Sequence, residues 1–355
     1  MSQATKKRKL EHLDICTDKD VEYGDNWLKH VRLVHDCLPQ KSLAEVDTST
    51  ELLGKELKAP FIIAAITGGV AEAKAINHAL ASVAEELGIG FGVGSQRAML
   101  EDPGVTDTFS VRDVAPNTLV LGNIGAANLH QYTVDEVAKA MKAIGADAIC
   151  VHINPAQEAA QQEGDVDFSQ CLQGIEKLAK RVPVVAKEVG NGVSRENALE
   201  LKRAGAAAID VGGFGGTSWV LVDKMRKNNE GISHDWGIPT AASIMECAQT
   251  VPLIATGGMR TGLDAAKAIG LGADAVGMAL PALRAYRKGG QEGVKRHFQK
   301  IIADFKTYQF LTGSKTLDSL KAANLVVTGE LAHWCEARGL DYRHYGQRYS
   351  PHTII

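Results

Sequence analysis

The sequence has little cysteine, no long apolar run and almost no net charge. Its six cysteines are scattered and form no Cys-x-x-Cys pair. That pattern argues against both a zinc site and a disulfide framework. Cys150 and Cys247 fall in apolar patterns and read as reduced core residues, so a cytoplasmic setting is expected. No apolar run approaches the ~20 residues that a membrane-spanning helix needs; FIIAAI ends at Thr67. The opening MSQATKKRKLEH has no apolar segment behind its charges, unlike a secretory signal. The net charge of -3 gives no broad basic field for nucleic acid.

What is present is a recurring Gly-rich hydrophobic segment with polar residues at its end. FIIAAITGG, IGFGVGS, LVLGNIGA, AICVHINP, VPVVAKEVG, AAIDVGGFGG, PLIATGGM and AVGMALPAL follow one another between Phe61 and Leu283. Each has the length of a strand buried on both faces. Stretches with helical patterning separate most of them, such as TVDEVAKAMKAIG. Eight strands alternating with helices predict a (β/α)8 barrel, with its chemistry at the C-terminal strand ends. The echo IGADAICVHI, AGAAAIDVGG and LGADAVGMAL puts a glycine just after each helix, where a left-handed cap is needed. The expected organisation is a basic arm over residues 1–30, a lead-in covering one barrel end over 31–60, the barrel over 61–313 and an extension over 314–355. The longest interruption, KNNEGISHDWGIPTAAS, has the length of a functional loop.

Strand alternation converts these segments into side-chain directions. Cys150, His152 and Asn154 share one face of their strand, which should point into the barrel. Asn123 shares a face with Leu119 and Leu121, and Lys187 with Val185. A lysine, two asparagines and a histidine converging on one mouth are costly to bury unless something polar binds there. Thr67, Gly68 and Gly69 end the first strand, in either a tight turn or a surface that a flat ligand approaches. TGGMRTG after strand seven and GMAL at the end of strand eight occupy the usual phosphate site of such barrels. Thr217 and Ser218 add hydroxyl donors. Lys187 faces an anionic ligand or an electron-rich ring. Glu158, a single carboxylate in HINPAQE, suits Mg²⁺ completed by substrate phosphate and water. KKRK is either a solvated arm or one that closes over an anion.

Taken together, RKLEH, LVHDCLP, ITGG, GSQRAML, HINPAQE, KEVGNG, GGTSW, DWGIPTA and TGGMRTG resemble type 2 isopentenyl-diphosphate isomerase, an FMN-dependent family of isoprenoid synthesis. The match runs from about residue 7 to about residue 340, in the family's order. The resemblance implies that Thr67, Gly68, Gly69, Ser95, Asn123, Lys187, Thr217, Gly257, Gly258, Ala279 and Leu280 hold FMN. It implies substrate contacts from Arg8, Lys9, Ser95, Arg97 and Gln157, with His12 and Trp219 helping to close the pocket. His152, Asn154, Gln157 and Asp223 are the expected catalytic set, and Glu158 the Mg²⁺ ligand. Two departures stand out: Ile66 replaces the family's Met, and Asp223 replaces its Glu, a proposed participant in proton transfer. The implied reaction interconverts isopentenyl and dimethylallyl diphosphate with no net redox change. It implies reduced FMN, NADPH as reductant, and a homo-tetramer or larger assembly, with neither nucleic acid nor membrane as partner.

Three alternatives carry less weight. An FMN-dependent 2-hydroxy-acid oxidase wants His-Gly-Gly with a neighbouring Arg near strand six or seven, where this chain has GGFGG. An IMP-dehydrogenase-like enzyme needs a cysteine after strand six, and none lies between Cys171 and Cys247. A non-catalytic flavin-binding barrel has no need of the His152, Asn154, Gln157 and Glu158 set.

Overall fold

A computed structural model describes residues 3–161, 163–227 and 233–348. The polar tail ending SPHTII and residues 228–232 of the long interruption lie outside the described residues. Eight parallel strands close into a barrel: β4 (Phe61–Ile63), β5 (Gly90–Gly92), β6 (Val120–Gly125), β7 (Ala148–Ile153), β8 (Val184–Glu188), β9 (Ala208–Asp210), β10 (Leu253–Ala255) and β11 (Ala275–Met278). Each falls within one of the eight expected segments. β11 pairs back with β4 and closes the ring. The (β/α)8 architecture is therefore the one expected.

The helices of the ring form where apolar residues recur at helical spacing and a cap stops them. α1 (Gln3–Asp18) precedes the barrel; α2 (Ala71–Leu87) and α3 (Arg97–Glu101) follow β4 and β5. α4 (Val134–Ala143) starts at a reciprocal cap between Thr133 and Glu136. Then come α5 (Pro155–Ala160), α6 (Cys171–Ala179), α7 (Arg195–Arg203), α8 (Trp219–Lys227), α9 (Thr240–Cys247) and α10 (Gly262–Leu271). α11 (Leu280–Leu311) leaves helical geometry at Gly289 and Gly290, where it bends. The three glycines of the internal echo, Gly145, Gly205 and Gly272, all have positive φ.

The lead-in forms β1 (Val31–Leu33) and a hairpin of β2 (Thr50–Leu52) and β3 (Lys55–Leu57). Leu53 and Gly54 both have positive φ, as a two-residue hairpin turn requires. The hairpin's Leu52 and Leu57 pack in one buried cluster with Ile62, Leu119, Leu121, Ala148, Cys150, Val185, Ala208, Ile254 and Ala275. These are the inward positions of the lower barrel, so the hairpin plugs its N-terminal end. Near the C-terminal end of the chain, β12 (Leu325–Val327) pairs antiparallel with β1. Cys16, Cys37, Cys150, Cys171, Cys247 and Cys335 are all free thiols, and only Cys37 is exposed. Among the described residues, no helix is long and apolar enough to cross a membrane.

Candidate active site

Interior alternation sets the floor of the site. One step above the apolar cluster, the same strands turn inward Asn123, His152, Lys187 and Asp210. Register places His152 beside Lys187, and Lys187 beside Asp210. The inward direction read for Cys150, Val185, Leu119 and Leu121 is thus the observed one.

Above this floor lies a cavity of about 330 Å³. All the candidate residues except Gly69, Ser218 and Asp223 line it: Arg8, Lys9, His12, Thr67, Gly68, Ser95, Arg97, Asn123, His152, Asn154, Gln157, Glu158, Lys187, Thr217, Trp219, Gly257, Gly258, Ala279 and Leu280; the Ser218 hydroxyl instead accepts from the Leu221 N–H at 3.2 Å. Gly69 sits behind the wall, where its N–H donates to Thr108 Oγ1 at 2.8 Å. Asp223 is buried and reaches the wall through its partners.

His152 Nδ1 pairs with Asn123 Oδ1 at 2.8 Å. With that oxygen as acceptor, Nδ1 carries the proton and Nε2 keeps the lone pair. Burial, with help from the Lys187 charge, holds this imidazole down at about 4, so it is neutral at pH 7. Lys187 Nζ donates to Asp210 Oδ2 at 2.7 Å and to the Glu188 carbonyl at 3.1 Å. Glu188 turns away and ties its own loop: the N–H groups of Val189, Gly190, Asn191 and Gly192 all donate to its Oε2. Burial pushes this carboxyl up to about 7, against the N–H groups of Asn191, Gly190 and Val189 and the Lys187 charge.

A second group of contacts links α5, α8 and the arm. Asn154 Nδ2 donates to Gln157 Oε1 at 3.1 Å and to Glu158 Oε1 at 2.8 Å. The other Glu158 oxygen accepts from the Asp165 N–H at 2.8 Å. Asp223 accepts from Gln157 Nε2 at 3.4 Å and Arg226 Nε at 3.0 Å, and lies 3.0 Å from His12 Nε2. The His12 ring meets Trp219 edge to face at 5.3 Å. Helix α1 therefore roofs the cavity. From it, Arg8 Nη1 reaches Gln161 Oε1 at 3.3 Å, and Lys9 Nζ donates to the Gly68 carbonyl. Burial first, then the Arg8 charge, pulls the Lys9 ammonium down to about 8, against Glu101.

The cavity wall at Gly257–Gly258 and Ala279–Leu280 has the make-up of an anion site. Gly257 and Gly258 have φ of +104° and +71°. A Cβ on Gly257 would stand 2.1 Å from the Gly213 carbonyl oxygen, and one on Gly258 2.2 Å from that of Gly215. The two glycine loops thus pack backbone on backbone, and the Gly257 and Gly258 carbonyls accept from Thr240 Oγ1 and Asn26 Nδ2. Beside them α11 opens at Ala279–Leu280 with no side-chain cap and a proline in its first turn. Uncapped N–H groups at a long helix's N-terminus are a ready anion site. At the first strand, by contrast, glycine is required by packing: a Cβ on Gly68 would meet the Phe109 ring at 2.0 Å.

Several supporting residues escaped the sequence reading. Asp210 shares its face with Ala208, so alternation could have found it. Glu188 lies in KEVGNG, but alternation points it away from the mouth, and Arg226 carried no pattern that set it apart. Asn26, whose Nδ2 donates to the Gly258 carbonyl at 2.9 Å, lies in an aperiodic lead-in.

The profile of FMN-dependent dehydrogenases matches residues 1–103 and 151–327. Over 97% of this chain and 98% of its relative, the sequence is 44% identical to an isopentenyl-diphosphate delta-isomerase of Methanosarcina acetivorans. The same-named protein of Archaeoglobus fulgidus is 45% identical over 95% of this chain and all of its own length. The chain belongs to the isopentenyl-diphosphate delta-isomerases, within the FMN-dependent dehydrogenase family. Outside the isomerases, the barrel resembles those of a solved oxidase and a solved flavocytochrome. A mandelate oxidase with benzaldehyde gives a TM-score of 0.65 at 19% identity, over 91% of this chain and 98% of that one. A flavocytochrome b2 mutant with pyruvate gives 0.68 at 19%, over 97% and 89%. At such identity the likeness concerns the fold. The His-Gly-Gly expected of the oxidases is absent from the isomerase chain, which has GGFGG after β9.

Proposed function

We propose that this chain interconverts isopentenyl and dimethylallyl diphosphate, using reduced FMN held at the barrel mouth. The observation that supports the reading is that one cavity is lined by two sets of groups suited to anions. One is the backbone cradle at Gly257–Gly258 and Ala279–Leu280, suited to the flavin phosphate. The other is the basic set Arg8, Lys9 and Arg97, which line the same cavity and suit a diphosphate. Charge-assisted contacts from a guanidinium can be bidentate to phosphate.

In this reading Thr67, Gly68, Ser95, Asn123, Lys187 and Thr217 hold the flavin ring and ribityl chain, with Gly69 supporting the loop from behind. When bound, reduced FMN supplies an electron-rich surface that stabilises positive charge developing on the substrate. Arg8, Lys9, Arg97 and Gln157 bind the substrate, and Ser95 serves both ligands. His12 and Trp219 exclude water from above. His152 presents the neutral Nε2 lone pair toward the cavity, and Asn154 fixes Gln157 and Glu158. A proton is added at one carbon and another removed, so electrons balance without an oxidant. Asp223 does not line the cavity, so it acts by orienting Gln157 and His12.

Glu158 is the proposed Mg²⁺ ligand. Among the described residues, no group of three or more His, Cys, Asp and Glu forms a metal cage. A lone carboxylate fits an ion that takes most of its shell from water and diphosphate oxygens. NADPH as reductant, a cytoplasmic setting, and a homo-tetramer or larger assembly complete the proposal. The basic arm belongs to the substrate side of the enzyme.

The test is incubation of the purified, flavin-loaded protein with isopentenyl diphosphate and Mg²⁺ under reducing conditions. Dimethylallyl diphosphate should form only with the flavin present. Oxidation of a 2-hydroxy acid without isomerisation would favour the oxidase reading instead.

A further inference from the structure

Asp210 is a buried carboxylate that the isomerisation itself leaves without a part. It faces three donors and no acceptor. Lys187 Nζ lies 2.7 Å from one oxygen, while Thr256 Oγ1 and the Gly212 N–H, at 3.2 Å, donate to the other. An amide in its place offers a single acceptor oxygen and would turn an NH₂ toward a donor. Below it lie Val185, Ala208 and Ile254, all apolar. Beside Lys187 on β7, His152 is neutral and adds no competing positive charge. Asp210 is thus the carboxylate paired with a lysine that lines the cavity.

We propose that Asp210 is a positioning residue: it holds the Lys187 ammonium in the cavity floor, where that charge favours reduced over oxidised FMN. The proposal rests on the reading that this cavity takes FMN. A held ammonium favours an anionic reduced ring more than a neutral oxidised one. Loss of the tether should therefore weaken reduced FMN more than oxidised FMN. A role confined to folding would weaken both equally.

The experiment measures the midpoint potential of FMN bound to the wild-type chain, to Asp210→Asn and to Thr256→Val. Dissociation constants for oxidised FMN are measured beside it. Asp210→Asn should cost reduced FMN about tenfold more affinity than oxidised FMN, which for a two-electron couple lowers the potential by about 30 mV. Thr256→Val removes only the hydroxyl tether, so it should shift the potential in the same direction by less. It stands in if Asp210→Asn does not fold. A potential that is unchanged in the folded variants overturns the proposal, as does one that rises, because Asp210 would then act as a bare opposing charge. If the wild-type chain takes up no flavin, the underlying reading fails, and the proposal falls with it.

Discussion

The lower and upper halves of the barrel interior are built from the same eight strands yet held together by different forces. Below, Leu121, Ala148, Cys150, Val185, Ala208 and Ile254 close against the hairpin leucines. That layer is stabilised by apolar burial, at roughly 25 cal/mol per Å². One residue pair higher, Asn123, His152, Lys187, Asp210 and Thr256 replace the aliphatics. That layer persists because its polar groups meet partners, Asn123 with His152 and Lys187 with Asp210. The lower half supplies stability, and the upper half supplies a polar surface for a ligand. Substitutions should therefore separate the two properties.

The largest effect is expected at the bottom. Leu57→Ala should lower unfolding free energy by about 2–5 kcal/mol while FMN affinity and isomerase kinetics stay unchanged below the transition. Chemical denaturation beside steady-state kinetics checks this, and an altered kcat would erase the division. At the top rim, Gly258→Ala places a Cβ against the Gly215 carbonyl in a left-handed backbone. A strain of about 1–3 kcal/mol should raise the FMN dissociation constant by one to two decades, read by flavin fluorescence. Arg8→Ala sharpens the contrast between the two anion sites. Loss of one charge-assisted contact, on the order of 1.5–3 kcal/mol, should lower kcat/KM by roughly one to two decades and leave FMN affinity alone. The smallest effect is a pH limb. Lys9 is held down near 8, so it is a cation below that pH and neutral above it. kcat/KM should fall as pH rises through about 8, and Lys9→Arg should carry the limb to higher pH.

Much of this contrast is legible in the amino-acid sequence. Eight apolar runs with period-two faces predict both the barrel and the inward direction of His152 and Lys187. The glycines of TGGMRTG mark the proposed phosphate side in the sequence, and in the fold they stand where backbone meets backbone. What the sequence hides depends on long-range closure. Asp210 stands in an inward position, but its pairing with Lys187 depends on the register between β8 and β9. Asn26 and Arg226 act through loop and helix contacts with no periodic signature. The pairing of Val31 with Val327 joins segments nearly the whole chain apart, and two three-residue strands leave little local pattern.

The most direct test of the account is isomerisation in deuterated water with reduced FMN, followed by NMR of the diphosphates and absorption of the flavin. The account predicts deuterium in the recovered isopentenyl and dimethylallyl diphosphates, with the flavin spectrum the same before and after many turnovers. Stoichiometric oxidation of the flavin during turnover, or conversion without solvent deuterium, would contradict it.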